Sequence, residues 1–109
     1  MPRRGVEEER RAARHYRLRG YRILGRNAWY GGYELDLVVR RGRRVLFCEV
    51  KAKGGAGYGD PLEMVGAEKL RRLHRAAEGW LVAHPEHREL ELGFEIVALR
   101  EGRLERVAV

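Results

Sequence analysis

Apolar and polar positions follow two rhythms along the 109 residues, one near 3.6 and one of 2, and the switches between them divide the chain into elements. From Val6 to Arg19 acidic residues come first (Glu7, Glu8, Glu9) and basic ones later (Arg14, Arg17, Arg19), the order that suits a helix dipole, and Gly20 ends the run. Tyr21–Leu24 reads as a short strand, Asn27–Gly32 as a loop, and Glu34–Arg40 as a second strand whose centre is apolar except for Asp36. Gly42 makes a turn and Val45–Lys51 a third strand, so these two strands should pair as a hairpin. Beyond a loop with Gly54, Gly55, Gly57 and Gly59, Pro61 opens a helix to about Ala83, along which Leu62, Val65, Leu70, Leu73, Ala77, Trp80 and Leu81 recur at helical spacing. His84-Pro85 closes it, and Leu90–Leu99 with Leu104–Val109 form a last hairpin turning at Glu101-Gly102. The expected order is α-β-β-β-α-β-β, an α/β fold built as one domain over residues 1–109.

Composition narrows the setting. No apolar run approaches the roughly 18 residues of a membrane span, and the chain opens on Pro2, Arg3 and Arg4 followed by acids instead of an apolar signal core. With Cys48 as its single cysteine no internal disulfide can form, and a cytoplasmic protein with no membrane partner is expected. The net charge is +7, and all the basic residues except Lys51, Lys53 and Lys69 are arginines, whose forked donors suit phosphate oxygens. A polyanion is the implied partner, with nucleic acid leading; general solubility is the plainer account of the same charge. The chain has no serine, threonine or glutamine, which excludes hydroxyl-nucleophile triads and the Gly-Lys-Ser/Thr phosphate loop.

The candidate chemistry lies on the second and third strands. A carboxylate inside an apolar strand costs several kcal/mol if buried without a partner, so Asp36 between Leu35 and Leu37, and Glu49 between Cys48 and Val50, call for a metal, a cation or a pocket mouth. Alternation puts Glu49 and Lys51 on one face, and a hairpin turning near Gly42 brings Asp36 across from Cys48 or Glu49. Two carboxylates on rigid strands offer hard oxygen ligands to Mg²⁺ or Mn²⁺, a Lewis acid that polarises a phosphate, and the lysine can hold the attacking water or stabilise developing negative charge. An ordinary ion pair of Lys51 with Glu49 or Asp36 is the alternative.

Asp36 followed by Glu49-Val50-Lys51 resembles the D…E-x-K core of the PD-(D/E)xK nuclease superfamily. More closely, the chain is similar to the YraN-like endonuclease family, itself similar to archaeal Holliday junction resolvases. The resemblance rests on Glu9-x-x-Ala12-Ala13, Gly20-Tyr21-Arg22-Ile23-Leu24, Glu34-Leu35-Asp36-Leu37-Val38 and Phe47-Cys48-Glu49-Val50-Lys51, with Tyr58-Gly59, Glu63, Val65 and Lys69-x-x-x-Leu73 further on. It spans about residues 5 to 98 and implies a restriction-endonuclease-like core, a mixed sheet flanked by helices. It also implies a divalent metal held by Asp36, Glu49 and the Val50 carbonyl, Lys51 beside the attacking water, and Glu9 reaching in from the first helix. The chain departs from the family pattern in having no proline before Asp36 and Tyr33 where relatives carry glycine.

Other signals are open to two readings. Arg71, Arg72 and Arg75 on the long helix, with Lys53 and Lys69, are candidate nucleic-acid contacts, or the charged face that any one-stripe helix carries. Tyr58 in the glycine loop could stack on a base, as could Trp29, Tyr30 and Tyr33, or the three could pack against the hairpin. His84 and His87 lack further zinc ligands nearby, and Cys48 reads as a small buried hydrophobe. The expected function is metal-dependent hydrolysis of phosphodiester bonds in DNA, with branched or Holliday-junction DNA suggested by the resemblance and a homodimer possible. The rivals are a non-catalytic nucleic-acid-binding module with the same fold and a protein-interaction scaffold.

Overall fold

A computed structural model describes residues 6–53, 66–100 and 102–109, with Lys53 described by its backbone alone. The first helix, α1 (Val6–Leu18), has Glu7, Glu8 and Glu9 in its first turn and His15 and Arg17 in its last. It stops where Gly20 takes φ +87°, while Tyr21 N–H returns to the Tyr16 carbonyl at 3.0 Å, a left-handed cap that favours glycine. Three antiparallel strands follow: β1 (Arg22–Tyr30), β2 (Tyr33–Arg41) and β3 (Arg44–Lys53). Then come α2 (Ala67–Ala83), a 3-10 turn (Pro85–His87), β4 (Glu91–Arg100) and β5 (Arg103–Ala108). The order matches the α-β-β-β-α-β-β expectation.

One expectation is corrected. Asn27–Tyr30 is not loop but the second half of β1, whose partners run from Arg22↔Arg40 to Tyr30↔Tyr33. Asn27 does take a left-handed φ of +51°, the local preference that argued for a loop, yet the β2 backbone supplies a ladder that carries the strand through it. Only Gly31 and Gly32 remain as the turn, both at positive φ (+60° and +85°) as a tight two-residue hairpin turn requires. The glycine loop with Tyr58, and the proposed start of the long helix at Pro61 with Leu62 and Val65, lie outside the described residues.

The five strands form one open sheet in the order β1-β2-β3-β4-β5. All neighbours are antiparallel except β3 and β4, whose parallel pairing runs from Arg44↔Glu91 to Lys53↔Arg100 and requires the crossover that contains α2. Helix α1 covers one face over Ala12, Ala13, Tyr16, Leu37, Leu46 and Cys48. Helix α2 covers the other, where Leu73, Ala77 and Trp80 meet Leu35, Val38 and Phe47. The sheet is therefore apolar on both sides, as its near-continuous runs of Val and Leu require.

The tip of the β1–β2 hairpin lies directly on α2. A Cβ at Gly79 would stand 2.9 Å from Tyr30 Cβ and 3.2 Å from the Gly31 nitrogen, and one at Gly31 would stand 3.2 Å from the Arg75 carbonyl oxygen. Alanine at position 79 would improve helix propensity by about 1 kcal/mol, but the contact is with backbone and a Cβ that cannot rotate away. Gly79→Ala is expected to lower stability by about 1–2 kcal/mol, the ordinary cost of overpacking. Urea unfolding checks this, and an unchanged or raised midpoint would mean the hairpin tip is not held against the helix.

Candidate functional site

The β2–β3 ladder runs from Arg41↔Arg44 to Leu37↔Cys48 and ends there, although β3 continues to pair with β4 as far as Lys53. At the break the Val50 N–H donates to Asp36 Oδ2 at 2.7 Å, so a side chain takes the place of a ladder carbonyl. Asp36 is thereby fixed between two strands by its own sequence neighbours: Leu35, Leu37 and Val38 are wholly buried and anchor the strand on either side. Only 9% of Asp36 is exposed.

Three carboxylates converge at this point. Oxygens of Glu9 from α1 and of Glu34 and Asp36 from β2 all lie within 4.8 Å of one another. Burial, the nearby Glu49 charge and, more weakly, Glu9 and a hydrogen bond with Glu34 push the Asp36 carboxyl up to about 8, against the pull of the Val50 N–H. Such convergence of acids is costly without a cation, and the donors are all hard oxygens, so the set fits Mg²⁺ or Mn²⁺ by chemistry and spacing.

Glu49 joins Asp36 and Glu34 in lining a cleft of about 420 Å³ together with Lys69, Arg72 and Leu73 from α2 and Trp29 and Tyr33 from the hairpin tip. Lys51 Nζ stands 3.3 Å from Glu49 Oε1, so the side-by-side projection expected from strand alternation takes the form of an ion pair at the cleft. Burial works to lower the Lys51 ammonium, but a hydrogen bond to Lys69 and the Glu49 charge outweigh it and the net shift is upward. The same Lys51 contact, followed by burial, lowers Lys69.

The sequence-derived site is brought together in part. Asp36 and Glu49 line one cleft, Lys51 is ion-paired to Glu49, and Glu9 arrives from α1 beside Asp36 as the resemblance implied. The tight carboxylate group, however, joins Asp36 to Glu9 and Glu34 and not to Glu49, while Val50 faces Asp36 through its N–H. Glu34 was not singled out, although its position two residues before Asp36 on a strand was the signal that could have found it. Of the expected nucleic-acid contacts, Lys69 and Arg72 line the cleft. Arg71 and Arg75 line an adjoining hollow with Tyr33, and Glu68 pairs with both Arg71 and Arg72. Tyr58 and the Lys53 side chain are outside the described residues. Cys48 is buried, donates to Tyr16 Oη at 3.4 Å and has its thiol pushed up to about 12 by burial, which suits packing and not nucleophilic chemistry.

The sequence pattern described as "Uncharacterised protein family UPF0102" matches residues 8–107, a span that contains every member of this cluster. The chain belongs to the UPF0102 family. It is 39% identical over 102 residues to a UPF0102 protein of Bradyrhizobium diazoefficiens, covering 94% of this chain and 75% of the relative. A UPF0102 protein of Nitrobacter winogradskyi is 38% identical over 102 residues, covering 94% of this chain and 85% of its own length. One from Acidothermus cellulolyticus is 43% identical over 76 residues, covering 70% of this chain and 58% of its own length. Among the described residues no helix of this UPF0102 chain is long and apolar enough to cross a membrane.

Proposed function

We propose that this UPF0102 protein is a metal-dependent nuclease of the PD-(D/E)xK type that hydrolyses phosphodiester bonds in DNA. The reading rests on one observation, the meeting of Glu9, Glu34 and Asp36 beside a cleft lined by Asp36, Glu34 and Glu49, with Lys51 ion-paired to Glu49. A divalent ion held there would act as a Lewis acid on the scissile phosphate and make a nucleophile available from water near neutral pH.

The chain's own residues supply the rest. Asp36 is held by the Val50 N–H while it stays within the acidic group, so the ligand set needs little rearrangement. Glu49 keeps Lys51 at the cleft, where the ammonium stabilises negative charge that develops on the phosphate oxygens. Lys69 and Arg72, on α2 at the same cleft, attract the polyanion and orient its backbone.

The test is cleavage of labelled single-stranded, duplex, flap and four-way-junction DNA with Mg²⁺ or Mn²⁺, with Lys51→Ala and Asp36→Asn run in parallel. The intact protein should cut at least one substrate, and Lys51→Ala should slow it by about 10²- to 10³-fold, the scale of losing one pre-placed donor at a developing charge. Binding without cutting under either metal would sink the nuclease reading and favour a non-catalytic nucleic-acid-binding module.

A further inference from the structure

We propose that Trp29 is a stacking platform that makes the cleft select an unpaired nucleotide beside the scissile phosphate, so that single-stranded or frayed segments, not continuous duplex, are the substrate. This rests on the nuclease reading for the word "scissile", but the recognition it describes does not require cleavage.

Three aromatic residues sit at the hairpin tip and divide into two groups. Tyr30 and Tyr33 face each other across the last pair of the β1–β2 ladder and pack against the α2-side core. Trp29 pairs instead with Glu34, a member of the carboxylate group, and leaves 67% of its surface in solvent. Leu18, Val82, Leu92 and Val109 are the other large apolar side chains exposed among the described residues, and Trp29 alone of these lines the acidic cleft. Leaving an indole in water costs hydrophobic free energy that packing it under the hairpin would have recovered. Its position against the acids points to a ligand with a flat, apolar face.

The rest of the cleft specifies the other half of that ligand. Lys69 and Arg72 stand on the wall formed by α2, and Arg71 and Arg75 continue the cationic surface along the helix past Tyr33. A phosphodiester backbone follows the cations, and the attached base is left to meet the indole across the cleft. Glu34, paired with Trp29 across the strands, sets the acidic group beside the indole, so a base stacked on Trp29 has its own phosphate next to those acids. A volume of about 420 Å³ is of the size that holds a single small group such as one base. A base can reach Trp29 only after leaving its stack, and that step costs least where the strand is already unpaired.

The experiment measures binding in EDTA, where no cutting occurs, by fluorescence anisotropy of a labelled short oligothymidylate and a labelled blunt hairpin duplex. Trp29→Ala should weaken single-strand binding by about tenfold, the loss of one base–aromatic stack, and change duplex binding by less than about twofold. Trp29→Phe should keep most of the single-strand affinity. The chain has two tryptophans, so emission from the buried Trp80 in Trp29→Ala reports that the fold is intact. Equal weakening on both probes, unchanged single-strand binding, or no binding of either probe by the intact protein would each overturn the inference. Selective loss in an intact protein that never cuts would sink the nuclease reading alone; cutting that proceeds with Trp29→Ala indifferent to probe type would sink this inference alone.

Discussion

Replacing Asp36 with asparagine is expected to make the metal-free protein more stable at pH 9 while lowering cleavage by about 10³-fold, the scale lost with a pre-placed charge group. The stability half follows from linkage. The Asp36 carboxyl is pushed up to about 8 by burial and by Glu49, whereas in the unfolded chain it ionises near its ordinary value of about 4. Between those two values the folded state binds the extra proton, so stability falls as pH rises from about 4 to about 8 and stays low above that. Asparagine carries no such penalty, and its side-chain oxygen can still accept the Val50 N–H. The full shift corresponds to roughly 5 kcal/mol; sharing of protons among the neighbouring acids reduces the return from one substitution to roughly 2 kcal/mol, near 8 °C in a domain of this size. Scanning calorimetry in EDTA at pH 5 and pH 9 measures it, and the gain in Tm should be much smaller at pH 5. Added Mg²⁺ should raise the Tm of the intact protein more at pH 9 than at pH 6, because the ligands must lose their protons to bind it. A variant less stable than the intact protein at pH 9 would mean that Asp36 is not under strain from its acidic neighbours.

The second large effect is expected at Glu95, under the same helix α1. Glu95 is buried on β4, and both its oxygens are held by Arg106 of β5, at 2.8 and 3.1 Å, while Tyr16 Oη of α1 donates to one of them at 2.6 Å. The Arg106 guanidinium also lies 4.6 Å from the Tyr16 ring centroid. Burial works against the Glu95 charge, but the Arg106 and Tyr16 hydrogen bonds outweigh it and hold the carboxyl below its ordinary range. Arg106→Ala leaves that charge with one partner, and a loss of about 3 kcal/mol is expected, the low end for a broken buried pair because Arg106 is partly exposed. The sign with pH is the reverse of that for Asp36. A depressed carboxyl adds stability above its unfolded value that disappears as pH falls through the lowered one, so the intact protein should lose this contribution on acidification below about pH 4 and Arg106→Ala should show little of that loss. Urea midpoints at pH 3 and pH 7 separate the two. Replacing both partners with leucine should return much of the stability; a loss of under about 1 kcal/mol for Arg106→Ala would class the pair with ordinary surface ion pairs.

Neither site touches the other, yet both depend on how α1 lies on the sheet. The same helix delivers Tyr16 to Glu95 and, two turns earlier, Glu9 to the Asp36 group. Residues 9 and 16 are close enough to share one face of the helix, and Ala12 and Ala13 between them are small and fully buried, so the helix approaches the sheet closely.

What the sequence determined by itself was local. The period-2 run around Asp36 and the Glu49-Val50-Lys51 alternation were enough to place a hairpin turning at Gly42 and to set Asp36 on the strand next to Glu49 and Lys51, because strand pairing across a two-residue turn leaves few registers. The charge order of α1 and its glycine stop are likewise consequences of neighbouring residues. Tertiary structure decided the rest. Only the β2 backbone could turn Asn27–Tyr30 from loop to strand, since its ladder of hydrogen bonds outweighs the preferences of asparagine and glycine. Glu9 reaches Asp36, and Lys69 reaches Lys51, through the packing of two helices on opposite faces of the sheet, and no local pattern encodes those approaches. Alternation separated Trp29 from Tyr30, but which of them met solvent depended on α2, whose Gly79 leaves room for the hairpin tip to bury the tyrosine and leave the tryptophan at the cleft.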